Sequence, residues 1–332
     1  MQVISIQAMV AAGIVLSLAV FAMVMVESGL DEWRSRRRQA ACVPIRQQLA
    51  EAESDPVASG EALDLLLGRR RRIGAADLAL LDEMRRAGSG QDSGCRKAVA
   101  GLRRRDQYVR SLAGARRSTR INAAELLFHL GGPSVVPEAL RAVLGRRWDV
   151  DVYLAILAAA RWVEDDSDAR LVWLALMGYG NVRPRLAAEI MMTAQVDLVP
   201  AVKEFLAGVD RLQVGALEFL LMRSDLVEEV EPDWESLLTG ENIDAVCAAI
   251  RLYVMTRKEM PPRRDHWWRL EEARIAFVGS AWRIDDAAVR AMVTTAAASD
   301  SSWWVRYRAG ESLALDDGEA GGDFRLGMKD AV

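Results

Sequence analysis

Beyond position 116 the apolar residues recur with a helical period, and that pattern itself repeats about every 31 residues. Segments starting at Arg120, Asp151, Arg183, Gln213, Asp244, Arg274 and Arg306 align without gaps, at spacings of 31, 32, 30, 31, 30 and 32 residues. Four positions past each start stand Ala124, Ala155, Ala187, Leu217, Ala248, Val278 and Gly310; eight past stand Phe128, Ala159, Met191, Leu221, Leu252, Trp282 and Ala314. No charge falls in either column, nor at the third position, from Ala123 to Ala309. Offsets of 1, 4 and 8 together with 3 and 7 form one broad face of a helix, so each segment is predicted to be an amphipathic helix needing cover. Small residues in these columns allow close approach of neighbouring helices. Ser118, Asp149, Asn181 and Asn242, two positions before their starts, are expected N-caps, and Pro184 suits a first turn.

Between these segments lie second amphipathic stretches: PSVVPEALRAVLG, DARLVWLALMG, VDLVPAVKEFLAG, EPDWESLLTG, RRDHWWRLEEA and DDAAVRAMVTTAA. Two helices per repeat, each burying its face against its neighbours, predict an all-α fold, an α-solenoid of about seven helical hairpins over 116–316.

The segments Arg120-Ile-Asn-Ala-Ala-Glu125-Leu and Arg306-Tyr-Arg-Ala-Gly-Glu311-Ser-Leu resemble the HEAT-repeat family in its short bacterial, PBS-lyase HEAT-like form. The resemblance covers 119–315. Arg183 has Glu189 one position late, and the repeats at Asp151, Gln213 and Asp244 lack the leading Arg, which argues against a uniform ladder of Arg pairs. Ser301-Ser-Trp303-Trp304-Val305-Arg306-Tyr-Arg-Ala309-Gly310 further resembles the membrane-tethered HEAT proteins that accompany family 2 glycosyltransferases in bacterial exopolysaccharide systems. A HEAT resemblance implies an architecture and says nothing of chemistry.

The amino-terminal part follows another pattern. No charged side chain precedes Glu27, and residues 8–26 are apolar apart from Ser17. As a helix this stretch would be about 28 Å long, enough for one membrane crossing. A signal peptide would want a basic start, which residues 1–7 lack. Arg34, Arg36, Arg37 and Arg38 follow the span, placing the amino terminus outside and the rest in the cytoplasm, at the inner membrane. Trp33 with those arginines makes the expected membrane interface. Residues 27–115 read as a basic juxtamembrane linker and N-terminal cap, with helices VPIRQQLAEAE, GEALDLLLGRRRRIGAADLALLDEMRRAG and CRKAVAGLRRRDQYVRSLAG separated by SDPVASG and GSGQDSG. The stretch 317–332 reads as a mobile acidic tail.

Charge follows this organisation. The net charge of −4 combines three acidic residues, Glu27, Asp31 and Glu32, before position 34 with 20 basic and 10 acidic residues at 34–120 and 23 basic and 34 acidic residues at 121–332. Three cysteines, Cys42, Cys95 and Cys247, are too few and too widely spaced for a disulfide framework or a zinc site. His129 and His266 are the only histidines and lie far apart. The run Glu164-Asp165-Asp166-Ser167-Asp168 reads as a solvated turn between helices, and Gly178-Tyr-Gly180 as a helix end rather than a phosphate loop. No catalytic, cofactor-binding or metal-binding residues are expected.

Tryptophan is the unusual usage, ten in all, with pairs at Trp267-Trp268 and Trp303-Trp304. Adjacent residues point about 100° apart on a helix, so one ring of each pair is expected in the core and the other outside, near Arg269 or Arg306. Trp267, Trp268, Trp303, Trp304 and Arg306 are therefore the candidate partner-binding residues, since Trp and Arg dominate interface hot spots. The expected function is a non-enzymatic, membrane-tethered scaffold for a protein partner, a family 2 glycosyltransferase by resemblance. Two alternatives stay open: a HEAT-like enzyme of lyase or DNA glycosylase type, the acidic repeats speaking against the glycosylase, and nucleic-acid binding through 34–120.

Overall fold

The computed structural model describes residues 31–316 apart from 34, 53, 69–72, 88–97, 99–101, 103, 133–134 and 209–210. The span expected at 8–26, Arg34, the basic run at 69–72, Cys95 and the tail at 317–332 thus lie outside the described residues. Among the described residues the regular elements are all helical, and no helix is long and apolar enough to cross a membrane. The chain divides into two compact units, up to Ala158 and from Ala159.

The first unit holds α1 (35–51), α2 (Pro56–Leu67), α3 (Ala75–Ala87), α4 (Arg105–Leu112), α5 (Arg117–Leu130), α6 (Val136–Val143) and most of α7 (Val150–Arg161). Helix α3 packs on α2 and α5, and α4 packs on α5 and α6. The centre is a buried polar knot. Arg104 places Nε 3.0 Å from Asp77 Oδ1, Nη2 donates to Asp77 Oδ2 at 3.0 Å, and Nη1 donates to the carbonyls of Leu67 and Gly68. Tyr108 donates its hydroxyl to the same carboxylate at 2.8 Å, and the Gly74 amide does so at 2.7 Å. Burial and the Asp77 charge push the Tyr108 phenol far above its ordinary value. Donors from Arg104, Tyr108 and Gly74 surround this buried carboxylate, and the cluster ties the end of α2 to α3 and α4.

The second unit contains α8 (Asp166–Gly178), α9 (Pro184–Met191), α10 (Val199–Ala207), α11 (Arg211–Met222), α12 (Val227–Val230), α13 (Trp234–Thr239), α14 (Ile243–Arg257), α15 (Arg264–Trp267), α16 (Glu271–Val278), α17 (Ala287–Ser299) and α18 (Trp303–Asp316). Helices α9, α11, α14, α16 and α18 contact one another in series, and α10, α13 and α17 each pack on the helix that follows in that series. The small-residue columns explain the closeness. Ala187, Leu217, Ala248 and Val278 are completely buried, as are Ala124 and Ala155 in the first unit. Trp173 on α8 is buried between Phe205 of α10 and Phe219 of α11, with ring centroids 5.3 Å and 5.7 Å away.

Several local expectations are corrected. Asn242 caps α14 as expected, accepting from the Ala245 amide. Ser118, however, lies inside α5, whose N-cap is Arg116, and Arg183 rather than Asn181 occupies the N-cap position of α9. The expected break SDPVASG instead starts α2, because Asp55 accepts from the Ala58 amide and Pro56 takes the first helical position. RRDHWWRLEEA does not form one helix: α15 has four residues, entered through Arg263 in the left-handed region at φ 57°. Glu231 and Lys258 share that conformation, at 52° and 55°.

Candidate interaction surface

The two tryptophan pairs differ. Trp267, at the end of α15, is completely buried and donates its indole N–H to the Pro262 carbonyl at 2.9 Å. Trp268 is half-buried, edge-on to Trp267 and Phe277, with the Arg264 guanidinium, not Arg269, 5.1 Å from its ring centroid. This pair belongs mainly to the core between α15 and α16.

At the start of α18 the expectation of one ring inside is corrected: Trp303 is 55% exposed and Trp304 56%. The side chains that enter the core are Val305, Ala309 and Ser312, an arc too narrow to include either ring. Trp303 stacks on Tyr307 at 5.3 Å with the ring planes 16° apart, and meets Trp304 edge-on at 4.6 Å. Tyr307 is itself exposed; its hydrogen bond to Glu311 and that carboxylate's charge hold its phenol above the ordinary value. Along the same face lie Gly310, exposed, and Ala314, partly so, with Leu315 beside them.

Arg306 has a different task from the one expected. Its Nη1 donates to the carbonyls of Asp300, at 2.7 Å, and Ser301, at 3.3 Å. Arg120 does the same to Gly114 and Ala115, and Arg274 to Trp268 and Arg269, in each case six and five residues upstream. At Arg120, Arg274 and Arg306 the arginine that starts the segment thus clamps the loop leading into its own helix. Arg120 and Arg274 also reach a carboxylate of the next segment, Asp151 at 2.5 Å and Asp300 at 3.0 Å. Arg211, at the start of α11, instead donates to the Tyr179 and Val182 carbonyls, in the loop that enters α9, the helix of the preceding segment.

The residues expected at a membrane interface also separate. Trp33 is exposed, with the Arg37 guanidinium 4.1 Å from its ring centroid, and Arg36 pairs with Glu32 at 2.6 Å. Arg38 is turned inward, its guanidinium bidentate on Asp82 of α3. In the acidic run, Asp165 caps α8 by accepting from the Asp168 amide at 2.8 Å, and Asp166 pairs with Arg170. Among the described residues no three His, Cys, Asp or Glu side chains converge on a point that could hold a metal ion. His129 meets Phe128 edge-on inside α5, and His266 is exposed on α15.

The surface of chemical interest is therefore the aromatic face of α18. Compared with protein-family models, with characterised proteins and with solved structures, the chain matches none.

Proposed function

We propose that the chain is a non-enzymatic scaffold, an α-solenoid of HEAT-like hairpins tethered to the inner membrane by its amino-terminal span, which engages a protein through the exposed face of α18. The observation that carries this reading is the cluster of Trp303, Trp304 and Tyr307. Three large rings in contact with one another and open to solvent cost hydration free energy on a helix that a polar face would serve better, and such patches mark binding surfaces. The serial contacts of α9 to α18 and the apolar stretch at 8–26 support the architecture and the tether. Tethering confines scaffold and client to one surface, so a modest interface suffices. The resemblance carried by 301–310 makes a family 2 glycosyltransferase the client to test first.

The experiment is co-purification of the full chain from membranes with and without Trp303→Ala and Trp304→Ala. Loss of a protein contact, including contact between copies of this chain, at unchanged melting temperature supports the reading. Contacts that survive both substitutions remove α18 from it.

A further inference from the structure

We infer that the protein covering α18 is a second copy of this chain, through an antiparallel pairing of the two α18 helices; the inference rests on the scaffold reading and names the occupant of that surface. The repeat supplies the first reason. The residue four past each segment start is completely buried at Ala124, Ala155, Ala187, Leu217, Ala248 and Val278, yet its counterpart on α18, Gly310, is exposed. In the second unit the helices before α18 each meet the next one in series, and α18 shows outward the column its predecessors bury.

The order of residues along that face indicates what covers it. Trp303, Tyr307, Gly310 and Ala314 follow at spacings of four, three and four, one stripe of a helix. Two large residues occupy its first half and two small ones its second. When two such helices lie antiparallel about a two-fold axis midway along the stripe, Trp303 of each copy meets Ala314 of the other, and Tyr307 meets Gly310. Each ring faces a gap, which is the self-complementarity an isologous contact requires. A parallel arrangement would put ring on ring and gap on gap.

Size sets the strength. The exposed rings and Leu315 offer roughly 300–400 Å² per copy, about half of a standard interface side, which makes the pair weak in free solution and dependent on co-confinement at a membrane. Such a dimer joins two copies through α18, leaving the remaining surfaces for a client.

The test uses the full chain in detergent micelles, followed by sedimentation over a range of concentrations. A Cβ at Gly310 meets nothing within 4 Å, so Gly310→Arg leaves the monomer intact while filling the space the partner's Tyr307 would occupy. The expected result is a concentration-dependent dimer that Gly310→Arg weakens at least tenfold while the melting temperature of the dilute chain does not fall. A second readout mixes Tyr307→Cys and Gly310→Cys chains, each in a background with Cys42, Cys95 and Cys247 replaced by Ala, and expects the mixed disulfide to exceed either homodisulfide. A chain monomeric at all concentrations, or a dimer indifferent to Gly310→Arg, overturns the pairing. If another membrane protein is then lost with Trp303→Ala, the scaffold reading survives with a different occupant; if nothing is lost, both fall.

Discussion

The guanidinium of Arg274 grips both carboxylate oxygens of Asp300, at 3.0 Å and 3.2 Å, while its remaining nitrogen holds the Trp268 carbonyl at 3.1 Å. One planar side chain thus joins the loop entering α16 to the loop entering α18. Both partners are nearly buried, so removing one strands the other's charge. Arg274→Ala is expected to lower unfolding stability by about 2–4 kcal/mol. Arg274→Lys keeps the charge but loses the fork, and should recover less than half of that. Urea unfolding of the two variants checks both statements; equal stability of Lys and Arg would show that charge alone matters there.

Two helix glycines should respond in opposite directions to the same substitution. At Gly215 on α11 an added Cβ would stand 3.0 Å from Trp173 Nε1 and 3.4 Å from Met177 Sδ, atoms held in the core. Gly215→Ala is therefore expected to destabilise by about 1–3 kcal/mol. At Gly310 the space is open, and Gly310→Ala should stabilise by about 0.5–1 kcal/mol through the lower backbone entropy of the unfolded chain. Melting temperatures measured at low protein concentration distinguish them; a matching sign at both sites contradicts the packing described for α11.

Burial pushes the Cys247 thiol up to about 11. The folded state therefore holds this proton more tightly than the unfolded state. The resulting stability is complete below the ordinary thiol value and is lost as pH rises through the folded one, while acid pH has no effect through this group. Alkylation of Cys247 should accordingly be slow at pH 8 and speed up towards pH 11, whereas the denatured chain should react readily by pH 9. Site-resolved mass spectrometry after timed labelling follows the residue separately from Cys42 and Cys95. Fast labelling of the folded protein at pH 8 would contradict its burial.

The inward columns were legible in part because the 3.6 period and the 31-residue spacing act together: Ala187, Leu217, Ala248 and Val278 are where the pattern puts them, whereas Gly310 is exposed and Trp282 lies exposed in a turn past the end of α16. The ends of the helices were less so. Ser118 and Asn181 have the side chains of caps, yet Arg116 and Arg183 hold those positions, since helix starts depend on how the preceding loop packs. Trp303 and Trp304 misled for a related reason. That neighbouring residues point different ways is a fact of the helix, but how wide an arc is buried depends on what lies across from it. Arg306 looked like an anchor because its clamp on Asp300 and Ser301 uses backbone carbonyls, which leave no trace in a side-chain pattern. Its signal was the recurrence of Arg at segment starts, which matters only once the loop geometry is known. The pairing of Arg38 with Asp82 joins residues 44 positions apart and leaves no mark in local sequence.

The serial contact order of α9, α11, α14, α16 and α18 also determines how the second unit opens. Among the described residues α14 has a neighbour of this row on each side and α18 has only α16 within it, so opening α14 must breach two contacts of the row where opening α18 breaches one. Backbone amides should therefore exchange with solvent along a gradient, quickest in α18 and slowest in α11 and α14. Fluctuations of the last helix become nearly independent of the rest, and whatever binds α18 would slow its exchange while leaving the protection of α11 almost unchanged.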